Sequence, residues 1–234
     1  MGKPYSSDLR GRFVALLEDG LSASAAGAHL LARHGITRKK KTLVASEQKR
    51  EDIVEARMRW RNGMTDLNIG ALVFIGESGF DTKMTRLRGR SKRGQPCIDS
   101  VPRGHWHNNT FIAGLRSERV DAPILLPGAM DGDAFATWVE QALAPTLAAD
   151  DIVICDNLNV HKNAAARRAI EACGATLSFL PAYSPDLNPI EMLFARIKAV
   201  VRAMAPRDFD ALCTAVAALR NKPCYSRRSF FGGP

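Results

Sequence analysis

Asp151-Ile152-Val153-Ile154-Cys155-Asp156 is the stretch that decides the fold. It reads as a short buried strand that delivers Asp156 at its carboxyl end. After a gap of 34 residues comes Glu191, in Tyr183-Ser184-Pro185-Asp186-Leu187-Asn188-Pro189-Ile190-Glu191. That run reads as a helix start, with Asn188 as cap, Pro189 at the first helical position and Glu191 in the first turn. Two acids on rigid elements that could converge are what a divalent-metal site for phosphate chemistry needs. A third acid is expected on the strand Ala71-Leu72-Val73-Phe74-Ile75, and the next residue is Gly76.

Working outward, Thr110–Leu115 and Ala175–Leu180 read as further strands. Asp133–Leu143, Asn163–Ala172 (stopped by Gly174) and Pro189–Met204 read as helices. Early strands with short links, followed by strand–helix–strand–helix, indicate an α/β sheet with mixed strand directions. The four strands are expected to share one sheet, with Asp156 and Glu191 facing a common cleft. A charged helix over 45–62 precedes them.

At the amino end, residues 6–17 have Leu9, Phe13, Leu16 and Leu17 on one helical face. Gly20 ends that helix, and an Ala-rich helix follows over Ser22–Ala32. Helix, glycine turn and helix is how a helix-turn-helix begins, and equally a plain helical hairpin. In place of a third helix comes the basic linker Arg33-His34-Gly35-Ile36-Thr37-Arg38-Lys39-Lys40-Lys41. Residues 221–234 have no apolar period and are expected to be disordered.

The net charge of +9 is unevenly placed. Residues 1–104 carry 20 Lys/Arg against 11 Asp/Glu, and residues 105–234 carry 13 of each. An excess confined to one half fits contact with a polyanion, against the simpler reading of a solvated surface. Arg86, Arg88, Arg90 and Lys92 alternate, so a strand there would place all four on one basic face. That face would need water or phosphates. The five cysteines show no CxxC and read as reduced thiols without a zinc site. No apolar stretch reaches the roughly 18 residues of a membrane span, so a soluble, cytoplasmic protein is expected.

Each candidate group has a plainer reading. Asp156 can be the turn acid after a strand. Glu191 can serve the helix dipole or a capping box. Their joint spacing, with a strand between, is harder to assign to chance. Asn157 and His161 follow the strand end and could touch a phosphate, although a histidine at a helix start is commonly structural. His105 and His107 alternate onto one face, without a third metal ligand spaced nearby.

At these residues the chain resembles the bacterial mariner-like insertion-sequence transposases. The resemblance rests on Phe74-Ile75-Gly76-Glu77-Ser78-Gly79-Phe80, on Val153–Lys162 and on Tyr183–Glu191, with support from Thr85–Gly89 and Gly104–His107. It spans roughly residues 36–212, and more loosely 3–32. It implies a ribonuclease-H-like mixed sheet flanked by helices and an Asp-Asp-Glu triad with two Mg²⁺ (or Mn²⁺) ions. One ion would activate the attacking group and the other would stabilise the leaving oxygen. Carried over, the second acid is Asp156 and the third Glu191, each both catalytic and metal-binding. DNA partners are implied, both transposon ends and target DNA, with Arg86, Arg88, Arg90, Lys92, Lys39, Lys40 and Lys41 as nucleic-acid-binding residues. A homodimer is allowed, no membrane is expected, and the location would be nucleoid-associated.

The first family acid does not carry over, because Gly76 stands in its place. Glu77 is adjacent, but a strand neighbour points to the opposite face. The amino-terminal region reads as a truncated helix-turn-helix remnant over 1–35, then a basic linker and helix over 36–70, a catalytic domain over 71–212 and an atypical tail over 213–234. An internally deleted, decaying insertion-sequence gene accounts for these departures. The leading reading is a transposase by descent with impaired cleavage. The alternatives are a non-catalytic DNA-binding remnant and an unrelated ribonuclease-H-like nuclease.

Overall fold

The computed structural model describes residues 7–33, 45–86, 89, 91–92, 94–100 and 108–217. Residues 1–44 form one compact unit and residues 45–234 another. In the first unit, α1 (Ser7–Glu18) and α2 (Ala23–Arg33) fill the two expected helical stretches. Gly20 turns between them at φ +83°. Gly20 N donates to Leu17 O and Leu21 N to Leu16 O, the paired bonds that close a helix on a left-handed glycine. The place for a third helix, and Lys39, Lys40 and Lys41 with it, lie outside the described residues.

The second unit opens with a 3₁₀ turn at Ser46–Lys49 and α3 (Glu51–Met64), separated by extended Arg50. There follow β1 (Leu72–Asp81), β2 (Asn108–Leu115) and β3 (Val120–Pro127). Next come α4 (Gly132–Trp138), prolonged by a π-helical turn at Val139–Leu143, then β4 (Ile152–Cys155) and α5 (Ala164–Ala172). The unit ends with β5 (Thr176–Phe179), α6 (Ile190–Met204) and α7 (Phe209–Ala217). The strands make one sheet in the order β3-β2-β1-β4-β5. β1 pairs antiparallel with β2, and β2 with β3, while β1–β4 and β4–β5 are parallel. All four expected strands share this mixed sheet.

Four local expectations change. β1 runs to Asp81 rather than ending at Ile75, because β2 pairs along it from Phe74–Leu115 to Asp81–Asn108. That pairing outweighs the weak strand preference of Gly76 and Gly79. β3 is disguised in the sequence by Pro123 and Pro127, which an edge strand tolerates because one side of its ladder is unpaired. α7 adds Leu212, Ala215 and Val216 to the core. The basic strand does not form among the described residues. The chain turns after Asp81, and Arg86 and Lys92 are exposed in irregular segments. Arg88, Arg90, His105, His107 and the tail 221–234 lie outside the described residues.

Strand alternation splits the apolar side chains between two layers. Leu72, Phe74, Phe111, Ala113 and Ile154 face α6 and α7, where Ile190, Leu193, Phe194, Ile197 and Val201 pack onto them with Trp60 and Met64 of α3. Val73, Ile75, Ile112, Val153 and Cys155 face α4, the π-helical turn and α5 through Phe135, Trp138, Val139, Leu143 and Ile170. No helix among the described residues is long and apolar enough to cross a membrane.

At the far end of the sheet, Arg116 ties the β2–β3 hairpin to the start of β4. Its Nε donates to Asp121 Oδ2 at 2.6 Å, and Nη1 and Nη2 donate to Asp151 at 2.9 and 2.6 Å. All three side chains are at most 9% exposed. Arg116→Ala would leave the buried Asp151 carboxylate without its cation, while Asp121 keeps Arg119, so urea denaturation at neutral pH should show a drop in stability of about 3–5 kcal/mol. The hydrogen bonds from Arg116 hold the Asp151 carboxyl below the usual range. Its contribution is therefore present above the unfolded value of about 3.9 and fades as pH falls through the depressed folded value. Arg116→Ala should flatten the decline in stability seen below about pH 4 in the parent chain.

Candidate active site

The parallel register of β1 and β4 ends at Phe74–Ile154. Two residues further on, Gly76, still within β1, comes level with Asp156, just past the carboxyl end of β4. Gly76 continues the face of Phe74: a Cβ there would lie 2.8 Å from Ile190 Cγ2, 3.3 Å from Phe194 Cε2 and 3.7 Å from Asn188 Nδ2. The start of α6 stands directly over it. Asn188 Nδ2 donates to Ile75 O at 3.2 Å, while its Oδ1 accepts from Ile190 N at 3.3 Å. The helix begins at Ile190, one residue later than expected, and Glu191 still falls in its first turn.

Asp156 and Glu191 line one cleft of about 430 Å³, together with Asn157, Leu180, Tyr183, Ser184, Pro185 and Asn188. Asp156 Oδ1 meets His161 Nδ1 and accepts from Leu158 N at 3.2 Å. Among the described residues, neither its Oδ2 nor the Glu191 carboxylate accepts a hydrogen bond. Packed surroundings push the Glu191 carboxyl up although part of the side chain reaches solvent. Lys198 opposes that shift and Asp156 adds to it. A groove of about 490 Å³ between α3 and β4–β5 is lined by Arg59, Trp60, Met64 and Phe179 and carries no acid.

His161 takes the structural role. It is 1% exposed, its ring centroid is 4.7 Å from that of Phe135, and it holds Asp156 in place. Asn157 is exposed and lines the acid cleft. Glu77 pairs with Ile112 and so faces the layer opposite Gly76, as strand alternation requires. Its Oε2 is buried without a hydrogen-bond partner, and burial pushes its carboxyl up, opposed by His161 and reinforced by Asp156. Arg86 and Lys92 stand on exposed irregular chain.

Two residues near the acids escape a reading of the sequence alone. Lys198 lies two helical turns beyond Glu191, half-buried, with Nζ 5.5 Å from the Phe80 ring centroid. Burial and then Arg202 lower its ammonium value. The spacing of seven between Glu191 and Lys198 is the one signal for it. Arg57 of α3 reaches the loop before Glu191, and nothing local in the sequence announces that.

Because an Ile190 methyl fills the space beside Gly76, Gly76→Asp should destabilise the fold by about 1–3 kcal/mol through overpacking. Leucine lacks the branched Cγ2, so adding Ile190→Leu should recover part of that stability. A double-mutant cycle in urea measures the coupling. A simple sum of the two single effects would show that Ile190 does not press on position 76.

A family model described as DDE superfamily endonuclease matches residues 71–213. Comparison with curated protein sequences gave no match. Among solved structures, the mariner Mos1 paired-end complex with Mg aligns at a TM-score of 0.68 and 18% identity, covering 99% of this chain and 76% of that one. The Mos1 strand transfer complex gives 0.67 and 18%, covering 99% and 75%. The catalytic domain of Mos1 mariner transposase gives 0.56 and 14%, covering 82% and 89%. At these identities the likeness is one of fold, and it makes the five-stranded mixed sheet flanked by helices ribonuclease-H-like. With a family match over more than half its length, the chain belongs to the DDE superfamily endonucleases.

Proposed function

We propose that this chain is a transposase-derived protein of DNA strand cleavage and transfer whose chemistry is impaired by the absence of its first acid at Gly76. The observation that carries this reading is the shared cleft of Asp156 and Glu191, each with an open carboxylate oxygen, beside a glycine at the level of Asp156. Residues 1–35 are then a truncated helix-turn-helix remnant and residues 71–212 the catalytic core.

Mos1 paired-end complexes are known with Mg and with Mn. By that likeness a hard divalent cation suits this cleft, and Asp156 and Glu191 are the residues to hold it. The donor set falls short of a two-ion site. Among the described residues no three His, Cys, Asp or Glu side chains stand together to hold a metal. Position 76 offers no side-chain oxygen, and Ile190 occupies the space where a side chain would project. The same observation favours the second reading, a non-catalytic DNA-binding remnant. DNA would be met by the basic residues Arg86, Arg88, Arg90, Lys92, Lys39, Lys40 and Lys41 through phosphates, without sequence readout.

Calorimetric titration should show weak Mg²⁺ and Mn²⁺ binding by the natural chain. Binding should tighten in Gly76→Asp/Ile190→Leu. Nicking of supercoiled DNA in Mn²⁺ should stay near background for the natural chain and rise in that variant. Equal, tight binding of two ions by both proteins would refute impairment at Gly76.

Replacing Arg86, Arg88, Arg90 and Lys92 together by Ala should lower the slope of log K against log salt by about 0.9 for each phosphate no longer neutralised. An unchanged slope would make these residues only a solvated surface.

A further inference from the structure

The loop that carries the chain into Glu191 has one apolar anchor of its own, Leu187, packed against the core. Tyr183, Pro185 and Asp186 are exposed. Tyr183 sits in the left-handed region at φ +56°, which disfavours a residue with a side chain. A single 3₁₀ turn, Pro185–Leu187, orders the middle of the loop. What grips it comes from far away in the chain. Arg57 Nη1 donates to Ser184 Oγ at 2.7 Å and to Asp186 Oδ1 at 2.9 Å, and Nη2 donates to Asp186 Oδ2 at 2.6 Å. Gln48 Nε2 donates to Tyr183 O at 2.5 Å and to Asp186 Oδ1 at 3.3 Å.

Arg57 is held ready for this. Ile53, Arg57, Trp60 and Met64 recur at helical spacing, and Ile53, Trp60 and Met64 are buried or packed on the sheet core. The guanidinium therefore leaves the inner face of α3, and its side chain is only 12% exposed. A planar fork of donors met by a carboxylate and a buried hydroxyl fixes direction as well as distance. We infer that α3, which precedes the span matched by the family model, braces the acid cleft from outside its lining, and that Arg57 is a positioning residue. It locks the Tyr183–Asn188 loop and so fixes where Glu191 projects. The inference rests on Asp156 and Glu191 being the cation-binding pair.

Two readouts test it on the full chain. Amide hydrogen exchange without metal should be at least about tenfold faster at Leu187, Asn188 and Glu191 in Arg57→Ala, with Val73 and Val153 unchanged. Mn²⁺ affinity should fall by about 10–100-fold, the range for residues that orient a metal ligand. Arg57→Lys keeps the charge but not the fork, and should resemble Arg57→Ala. Restoration of both readouts by lysine would overturn the positioning role in favour of charge alone. Should Arg57→Ala fail to fold, Asp186→Asn breaks the same pair from the half-exposed loop side. Unchanged exchange in the loop would overturn the inference whatever the cation result. Faster exchange with equal Mn²⁺ affinity would overturn the link to Glu191. Faster exchange in a chain whose parent binds no Mn²⁺ would uphold the loop clamp and instead refute the cation reading.

Discussion

Two parallel strands are paired from Leu72–Ile152 to Phe74–Ile154, and the candidate site lies where that pairing stops. A parallel ladder runs both chains in one direction, so the residues just beyond its last pair share one rim of the ladder, although β1 itself continues against β2. Chain alternation then decides which face each rim residue serves. Gly76 and Asp156 stand level at that rim, with Gly76 on the α6 side, while Glu77 is sent to the other layer. A shift of one residue in this pairing would exchange Gly76 and Glu77 between the layers. The opposite rim is bound by the buried Arg116–Asp121–Asp151 group, which joins hairpin to β4 and supports the same register from behind.

Glu191 reaches the rim by a different route. It is carried by a helix whose entry loop is bonded to the sheet through Asn188 and Ile75 O and is gripped by α3. Bringing two carboxylates to one cleft costs electrostatic energy. The upward shift of Glu191 comes first from burial, is opposed by Lys198, and takes a smaller contribution from Asp156. His161 offsets part of the electrostatic cost at Asp156 by a buried contact, and Lys198 offsets part of it at Glu191 along α6. The second oxygen of Asp156 remains open to the cleft.

The features legible in the sequence are those governed by short-range rules. The apolar run 152–155, the Asn188–Pro189 helix start and the Gly20 stop each follow from local backbone and burial preferences, and the structure has all three, the helix beginning one residue later than expected. The features that escape depend on partners distant in the chain. Gly76–Asp81 has poor strand character alone and becomes strand only because β2 lies along it. Pro123 and Pro127 argue against a strand unless it is known to lie at an edge. The alternating arginines argue for a strand after Asp81, but the chain turns at Asp81–Met84 and no strand follows before Asn108 among the described residues. Arg57 reads as one of many charges on a polar helix. Its neighbours Ser184 and Asp186 stand 127 and 129 residues further along the chain.

Gly76 ties the proposed loss of an acid to the packing around it. An acid at that position would bring a Cβ and a carboxylate into a space bounded by Ile190, Phe194 and Asn188. With glycine there, the Ile190 methyl settles against the strand, and Ile190 becomes fully buried. Ile190 is also the residue immediately before Glu191, so the same packing that fills the space beside Gly76 helps seat Glu191. Restoring a carboxylate is therefore more than the addition of an oxygen donor. It pushes against the first turn of α6 and hence against Glu191 itself. Repair of the donor set and preservation of its geometry are coupled through one branched side chain, which is why relief at Ile190 belongs with any acid placed at position 76.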